Sequence, residues 1–243
     1  MDIIEAMGAR HAVREYTDQP LDENVLKALS EAIGRANADG GLDIQLVHDN
    51  EDAFGGCPTH YGRFRNVRYC LALIGRDTDA SGEALDERAG YFGERLALEA
   101  VRLGLDTGWV VLHETTGHHG RWHMGDGERM PAAIALGHGA RAGRPHRSKP
   151  IEELGMLADC DATSTSSSQS DALTGAPDWF VNGLKAVQLA PSALGKQPFR
   201  FVLLDDARHA VRAEALDGVQ AHIGLGIAKL HFELGAGVQV LWE

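Results

Sequence analysis

The stretch APSALGKQPF, residues 190–199, runs directly into the apolar segment RFVLL, residues 200–204. Proline cannot continue a helix, and it biases the preceding residue toward extended backbone. Pro191 with Ser192 therefore closes a helix predicted over residues 178–189, and Gln197-Pro198 with Phe199 leads the chain into a strand over 199–204. A last helix is predicted over 220–234, its apolar stripe formed by Ile223, Ile227, Leu230 and Leu234.

Upstream, helices are predicted over 2–9 and 21–33, the second with Asp22 as N-cap and Val25, Leu26, Leu29 and Ile33 on its apolar face. Strands follow over 42–47 and 68–75, separated by a Gly-, Pro- and charge-rich loop. The clearest helix spans 86–104, where Ala89, Phe92, Leu96, Ala100 and Leu103 recur at helical spacing and Gly104 stops it. Strands over 107–112 and 131–136 come next. The segment 159–174 is rich in Ser and Thr and reads as a mobile linker. The expected organisation is thus a first part over 1–157, a linker over 158–176 and a shorter part over 177–243, together an α+β fold with a central, mostly antiparallel sheet flanked by helices.

A weak internal repeat accompanies this division. Leu26-Lys27-Ala28 matches Leu184-Lys185-Ala186, and residues 42–49 match 199–206. Gly93, Leu96, Ala97, Leu103 and Gly104 match Gly224, Ile227, Ala228, Leu234 and Gly235. Two unequal copies of one helix–strand–helix plan are expected. The small residues Gly93, Ala97 and Ala100, like Gly224 and Ala228, are expected to let two central helices approach closely.

The 243 residues suffice for a sizeable core, and 44% hydrophobic with 24% charged residues is ordinary for a globular protein. A net charge of −12 argues against nucleic acid as a partner and makes local basic groups conspicuous: Arg10 with Arg14, and Arg141, Arg144, Arg147 and Lys149. No apolar run is long enough for a membrane helix, and the first residues lack a signal peptide's pattern, so a cytoplasmic location away from membranes is expected. Cys57, Cys70 and Cys160 show no metal or disulfide spacing and are expected to be inert thiols.

Four ordered segments resemble the nitroreductase family, in particular its branch of fused, pseudo-dimeric single chains. They are RHAVREYTDQPL (10–21), GYFGERLALEAVRLGLDTGWVV (90–111), AAIALGHG (132–139) leading to Arg147-Ser148-Lys149, and APSALGKQPF with the last helix. The resemblance implies FMN as cofactor and NADH or NADPH as electron donor. It also implies nitroaromatic, quinone or related small acceptors that alternate with the donor in ping-pong fashion. No catalytic acid or base is implied, since the hydride chemistry belongs to the flavin. In the family, the arginine motif of one subunit and the Pro-Ser turn of the other meet at one flavin. Here the first copy carries the arginines and the second the Pro-Ser turn, which implies one complete site per fused chain, as a monomer or a homodimer.

The implied ligands are divided accordingly. Arg10, Arg14, Arg147 and Lys149 would hold the phosphate, and His11 and Ala12 would offer backbone groups. Pro191, Ser192 and Ala193 would lie near the ring, Gln197 would reach the ring or ribityl hydroxyls, and Trp109, Val110 and Val111 would pass over one ring face. Gly195 stands where the family has asparagine, which implies one lost hydrogen bond. Val111-Leu112 stand for a common Gly-Gly pair, which implies crowding of the ring. These departures motivate two alternatives: a flavin-binding or flavin-less scaffold without turnover, or a specialised relative acting in dehalogenation, flavin fragmentation or enoate reduction. His113, His118, His119 and His123 lack a metal-binding spacing and are expected to form a polar lid, with no metal.

Overall fold

The computed structural model describes residues 1–60, 62–143, 147–158 and 173–243. They form two compact units, Met1–Pro145 and His146–Glu243. Most of the expected linker, residues 159–172, lies outside the described residues.

The first unit opens with α1 (Ile3–Ala9), started by a capping box. Asp2 accepts from the Glu5 N–H, and Glu5 accepts from the Asp2 N–H, both at 2.8 Å. Helix α2 (Glu23–Gly40) starts at Asp22, whose carboxylate accepts from the Asn24 N–H at 2.8 Å. It runs past the predicted end at residue 33 because Ala36 continues the buried stripe. Gly41, at φ 59°, then stops it in the left-handed conformation that glycine adopts freely. The Asn37 side chain grips both the N–H and the C=O of Ile44, at 2.7 and 3.0 Å, and so turns the chain back.

Strand β1 (Gln45–His48) follows, then β2 (Tyr69–Arg76), α3 (Glu83–Arg102), β3 (Asp106–Val110) and β4 (Glu128–Gly137). The sheet order is β1-β2-β4-β3, antiparallel throughout. The central strands β2 and β4 are nearly continuous buried runs, as expected where both faces of a sheet are covered. Gly93 of α3 packs against its own sheet: a Cβ there would sit 2.6 Å from the Trp109 ring and 2.7 Å from Leu73.

The second unit comprises α4 (Ile151–Leu154), β5 (Gly155–Leu157), α5 (Asp178–Val187), β6 (Phe199–Asp205), β7 (Ala210–Ala215), α6 (Ala221–Ala236) and β8 (Leu241–Trp242). Its sheet has the order β5-β6-β7-β8 and is mixed: β6 and β7 are antiparallel, whereas β5 and β8 add in parallel at the edges. The strands of the described residues thus divide into two four-stranded sheets. An aromatic core fills the second unit, with Phe201 stacked on Phe232 at 4.9 Å and Phe180 edge-on to Phe232 at 5.5 Å. Close packing of α5 on α6 rests on Gly183, which faces the Phe232 ring, and on Gly235, which faces Ala186 and the Asn182 carbonyl.

The order helix, strand, strand, helix, strand occurs in both units, as α2-β1-β2-α3-β3 and as α5-β6-β7-α6-β8. In the first, β4 lies between β2 and β3. In the second there is no such insertion, and β8 pairs directly with β7.

Cys57 and Cys70 are buried free thiols, and burial is the main influence pushing each thiol up, with carboxylates nearby adding to it. In a Cys160→Ser protein, neither should react with a thiol reagent such as DTNB until the chain is unfolded. Rapid labelling of the native variant would contradict this assignment.

Candidate functional site

The arginine motif follows α1 as an extended segment pinned on both sides. The Val13 N–H donates to the Thr107 carbonyl at 2.9 Å, and Tyr16 N–H and Arg14 C=O pair with Arg65 at 3.2 and 2.8 Å. The buried Tyr16 hydroxyl lies 3.0 Å from the Val13 carbonyl and 3.2 Å from the Ala135 carbonyl, fixing the segment to β4. Burial and the neighbouring Asp106 push this phenol far up, so it stays protonated.

Arg10 is only 5% exposed. Its Nε lies 3.4 Å from Glu94 Oε1, and Glu94, itself fully buried on α3, accepts from the Trp109 indole N–H at 2.8 Å through its other oxygen. Arg10 Nε and Nη1 nevertheless have no hydrogen-bond partner among the described residues. Donors of a buried cation are rarely left so, and they suit an anionic or strongly accepting ligand atom. The His11 Nδ1 and the Thr107 hydroxyl are likewise buried and without a partner among the described residues. Ala12 is exposed, its backbone bridged to Thr107. Arg14 is exposed, with its guanidinium carbon 6.0 Å from the Phe64 ring centre and its Nε close against Gly62.

At the end of β3 the pleat separates the candidates. Val110 and Leu112 point into the core of the first unit, while Trp109 and Val111 lie on the other face, partly exposed. Leu112 therefore does not crowd a ligand on the face that Val111 presents, and Val110 can offer only its backbone there. The Trp109 ring packs on Gly93 and bonds Glu94.

In the second unit, Gln197 departs from its expected role. It is fully buried in the left-handed region, at φ 45°. Its Oε1 accepts from the Lys149 N–H at 2.8 Å, and its Nε2 faces the carbonyls of Gln188, Ala190 and Val187 at 3.0, 3.3 and 3.4 Å. Those carbonyls lie at and just past the C-terminal end of α5, so the Gln197 side chain ties the turn to that helix end and is committed within the fold. Its own N–H donates to the Ser192 hydroxyl at 2.8 Å, which leaves the Ser192 proton available for donation.

The same residue joins the basic segment to the signature turn. Lys149 Nζ donates to the Gln197 carbonyl at 3.0 Å, with two further ammonium protons remaining. The Gln188 amide donates to the Lys149 carbonyl at 2.8 Å, and the Ser148 hydroxyl to the Gln188 carbonyl at 2.6 Å. Arg147 is exposed, Pro191 and Ser192 are partly exposed, and Ala193 is buried. Of the other basic residues, Arg141 pairs with Glu15 at 3.3 Å, and Arg144 lies outside the described residues.

Gly195 has φ 65° and open space around its Cα. Asparagine and glycine are the two residues that enter this region most readily, so the asparagine-to-glycine change preserves a backbone requirement. Leu194, at φ 55° and 63% exposed, shares the left-handed conformation without glycine's freedom. Such backbone strain concentrates at functional turns.

Among the described residues, no three His, Cys, Asp or Glu side chains converge as ligands. His118 Nδ1 pairs with the Thr115 hydroxyl at 3.0 Å, and His113 Nε2 lies 3.0 Å from His60 Nδ1. Sequence reasoning missed Glu94 and Phe64. A signal for Glu94 existed, since it lies four residues after Gly90 and three before Ala97, on the buried stripe of α3.

The model of the family described as "Putative TM nitroreductase" matches residues 2–236. The chain belongs to this nitroreductase family. A solved protein of Thermotoga maritima described as a "putative nitroreductase" is 18% identical, over 97% of this chain and 83% of that one, with a TM-score of 0.60. An FMN-dependent nitroreductase of Clostridium difficile is 16% identical over 59% and 91%, with a TM-score of 0.47. A protein of Desulfovibrio desulfuricans described as a "putative nitroreductase in complex with fmn" is 20% identical over 63% and 94%, with a TM-score of 0.45. No curated protein matches the chain. The α+β nitroreductase fold expected from the four motifs is therefore the fold of this family member. Among the described residues no helix is long and apolar enough to cross a membrane.

Proposed function

We propose that this nitroreductase-family protein is an FMN-dependent oxidoreductase that takes electrons from NADH or NADPH. It would pass them to a nitroaromatic, quinone or related small acceptor in ping-pong fashion. The observation that carries the proposal is the buried Arg10 guanidinium with Nε and Nη1 unpartnered among the described residues, in a chain of this family. Glu94 already balances the charge of Arg10, so the net positive charge for a phosphate would come from Arg14, Arg147 and Lys149, with Arg10 adding oriented donors. The backbone at His11 and Ala12 and the Ser192 hydroxyl would hold polar edges of the cofactor. Pro191, Ala193 and Gly195 would shape the turn beside it, and Val111 would cover one ring face. Gln197 would act through Lys149 and Ser192, as a positioning residue. When bound, FMN supplies the hydride chemistry. Donor and acceptor would use the site in turn. That Leu112 belongs to the core supports a working site over a scaffold that has lost turnover.

The protein as purified, or after incubation with FMN, should show flavin absorbance that bleaches on anaerobic addition of NADH or NADPH. A protein that takes up no flavin would refute the reading. Gly195→Asn should leave the fold intact and tighten FMN binding by roughly fivefold, the worth of one net hydrogen bond. Weaker FMN binding in a fluorescence titration of this variant would contradict the assignment of the turn.

A further inference from the structure

The two oxygens of Glu94, on α3, have different tasks. Oε2 accepts from the Trp109 indole N–H at 2.8 Å, and the Trp109 ring is wedged against Gly93, where even a Cβ would come within 2.6 Å of it. That anchor fixes the carboxylate and leaves Oε1 beside Arg10, 3.4 Å from its Nε. The Arg10 and Glu94 side chains are 3% and 0% exposed, so water and salt screen the contact little. Their charges cancel, yet the contact consumes neither donor: Arg10 Nε and Nη1 make no hydrogen bond among the described residues. On the same face of β3 as Trp109, the fully buried Thr107 hydroxyl is also without a partner among them. The cluster thus offers oriented donors while the ion pair within it carries no net charge.

We propose that Glu94 is a positioning residue for the flavin: it orients Arg10 and cancels its charge, so that Arg10 holds an uncharged oxygen of the cofactor and takes no part in selecting its phosphate. The inference rests on the proposed flavin site. A phosphate on Arg10 would bring negative charge up to the Glu94 carboxylate across the same guanidinium, in an interior where like charges repel strongly. A carbonyl or hydroxyl oxygen meets no such opposition and still receives N–H donors. Riboflavin has the same ring and ribityl chain as FMN without the phosphate. Selection between them would then fall to the exposed Arg14 and Arg147 and to Lys149, whose ammonium keeps two further protons. The signature of that division is that loss of Arg10 weakens both flavins alike.

The test is titration of flavin-stripped protein with FMN and with riboflavin, followed by flavin fluorescence, with the ratio of the two affinities as the readout. Glu94→Gln keeps the side chain's shape and its acceptor for the indole while unmasking the Arg10 charge. Its preference for FMN over riboflavin should rise roughly fivefold above wild type, the gain from a neutral to a charge-assisted hydrogen bond. In the Arg10→Gln/Glu94→Gln double variant the pair again has no net charge. Both flavins should bind it more weakly, and the ratio should return to within about twofold of wild type. Thermal unfolding checks that each variant is folded, and if Glu94→Gln is not, the double variant decides alone. An unchanged or smaller ratio in folded Glu94→Gln, or a double variant that loses the preference for FMN, would overturn the proposal while leaving the flavin reading intact. Uptake of neither flavin by the wild type would refute that reading and this inference with it.

Discussion

Gln197→Ala should destabilise the protein by about 2–4 kcal/mol, because each buried polar group left unpaired costs about 1–3 kcal/mol. The side chain is fully buried and serves the Lys149 N–H and the carbonyls at the end of α5 together. For a chain of this size the midpoint of thermal unfolding should fall by roughly 5–15 °C. Gln197→Glu should be at least as damaging, since a carboxylate would point an acceptor at three carbonyls. A circular-dichroism melt that moves by only a degree or two in either variant would show that Gln197 does not tie the turn to the end of α5. Because Lys149 is held by this residue, the surviving folded fraction should also bind FMN less tightly.

Glu94→Ala should cost about 3–5 kcal/mol, the usual consequence of stranding one member of a buried ion pair. It leaves the Arg10 charge without its counter-charge and the Trp109 indole N–H without its acceptor. The indole emission of Trp109 should shift, which a general loosening elsewhere would not produce. The double variant Arg10→Met/Glu94→Leu should recover most of the lost stability, because replacing both ions by apolar groups is often neutral. Stability effects of the two single changes should accordingly be far from additive. Additive losses would mean that the 3.4 Å contact is not an energetic pair.

The long elements were legible because their signals are local. Asp22 at the start of α2, the apolar spacing of α3 and the Pro-bounded entry to β6 each declare themselves within a few residues. Strand β7 was missed because AVRAEA lacks β-branched and aromatic residues except Val211. It is held instead by pairing with β6, where Glu214 lies opposite Arg200 and bonds it at 2.8 Å. Strands β5 and β8, at three and two residues, carry no periodicity to read. In the site, the arginines and the Pro-Ser turn were legible as motifs, whereas the role of Gln197 was misread. A glutamine flanked by Lys196 and Pro198 gives no sign that it is buried, and its partners lie as far as 48 residues away. The burial of Leu112 was not legible because the chain continues past β3 with Leu112 bridged to Thr59 of the β1–β2 loop and buried in the core.

We propose that Arg14 of the arginine motif and Lys149 of the basic segment each serve FMN. This is tested most directly by titrating flavin-stripped wild type, Arg14→Ala and Lys149→Ala with FMN and following flavin fluorescence. The account predicts saturation at one FMN per chain in the wild type and clearly weaker binding, at unchanged stoichiometry, in both variants. Absence of binding, or loss of affinity in one variant with wild-type affinity in the other, would contradict it.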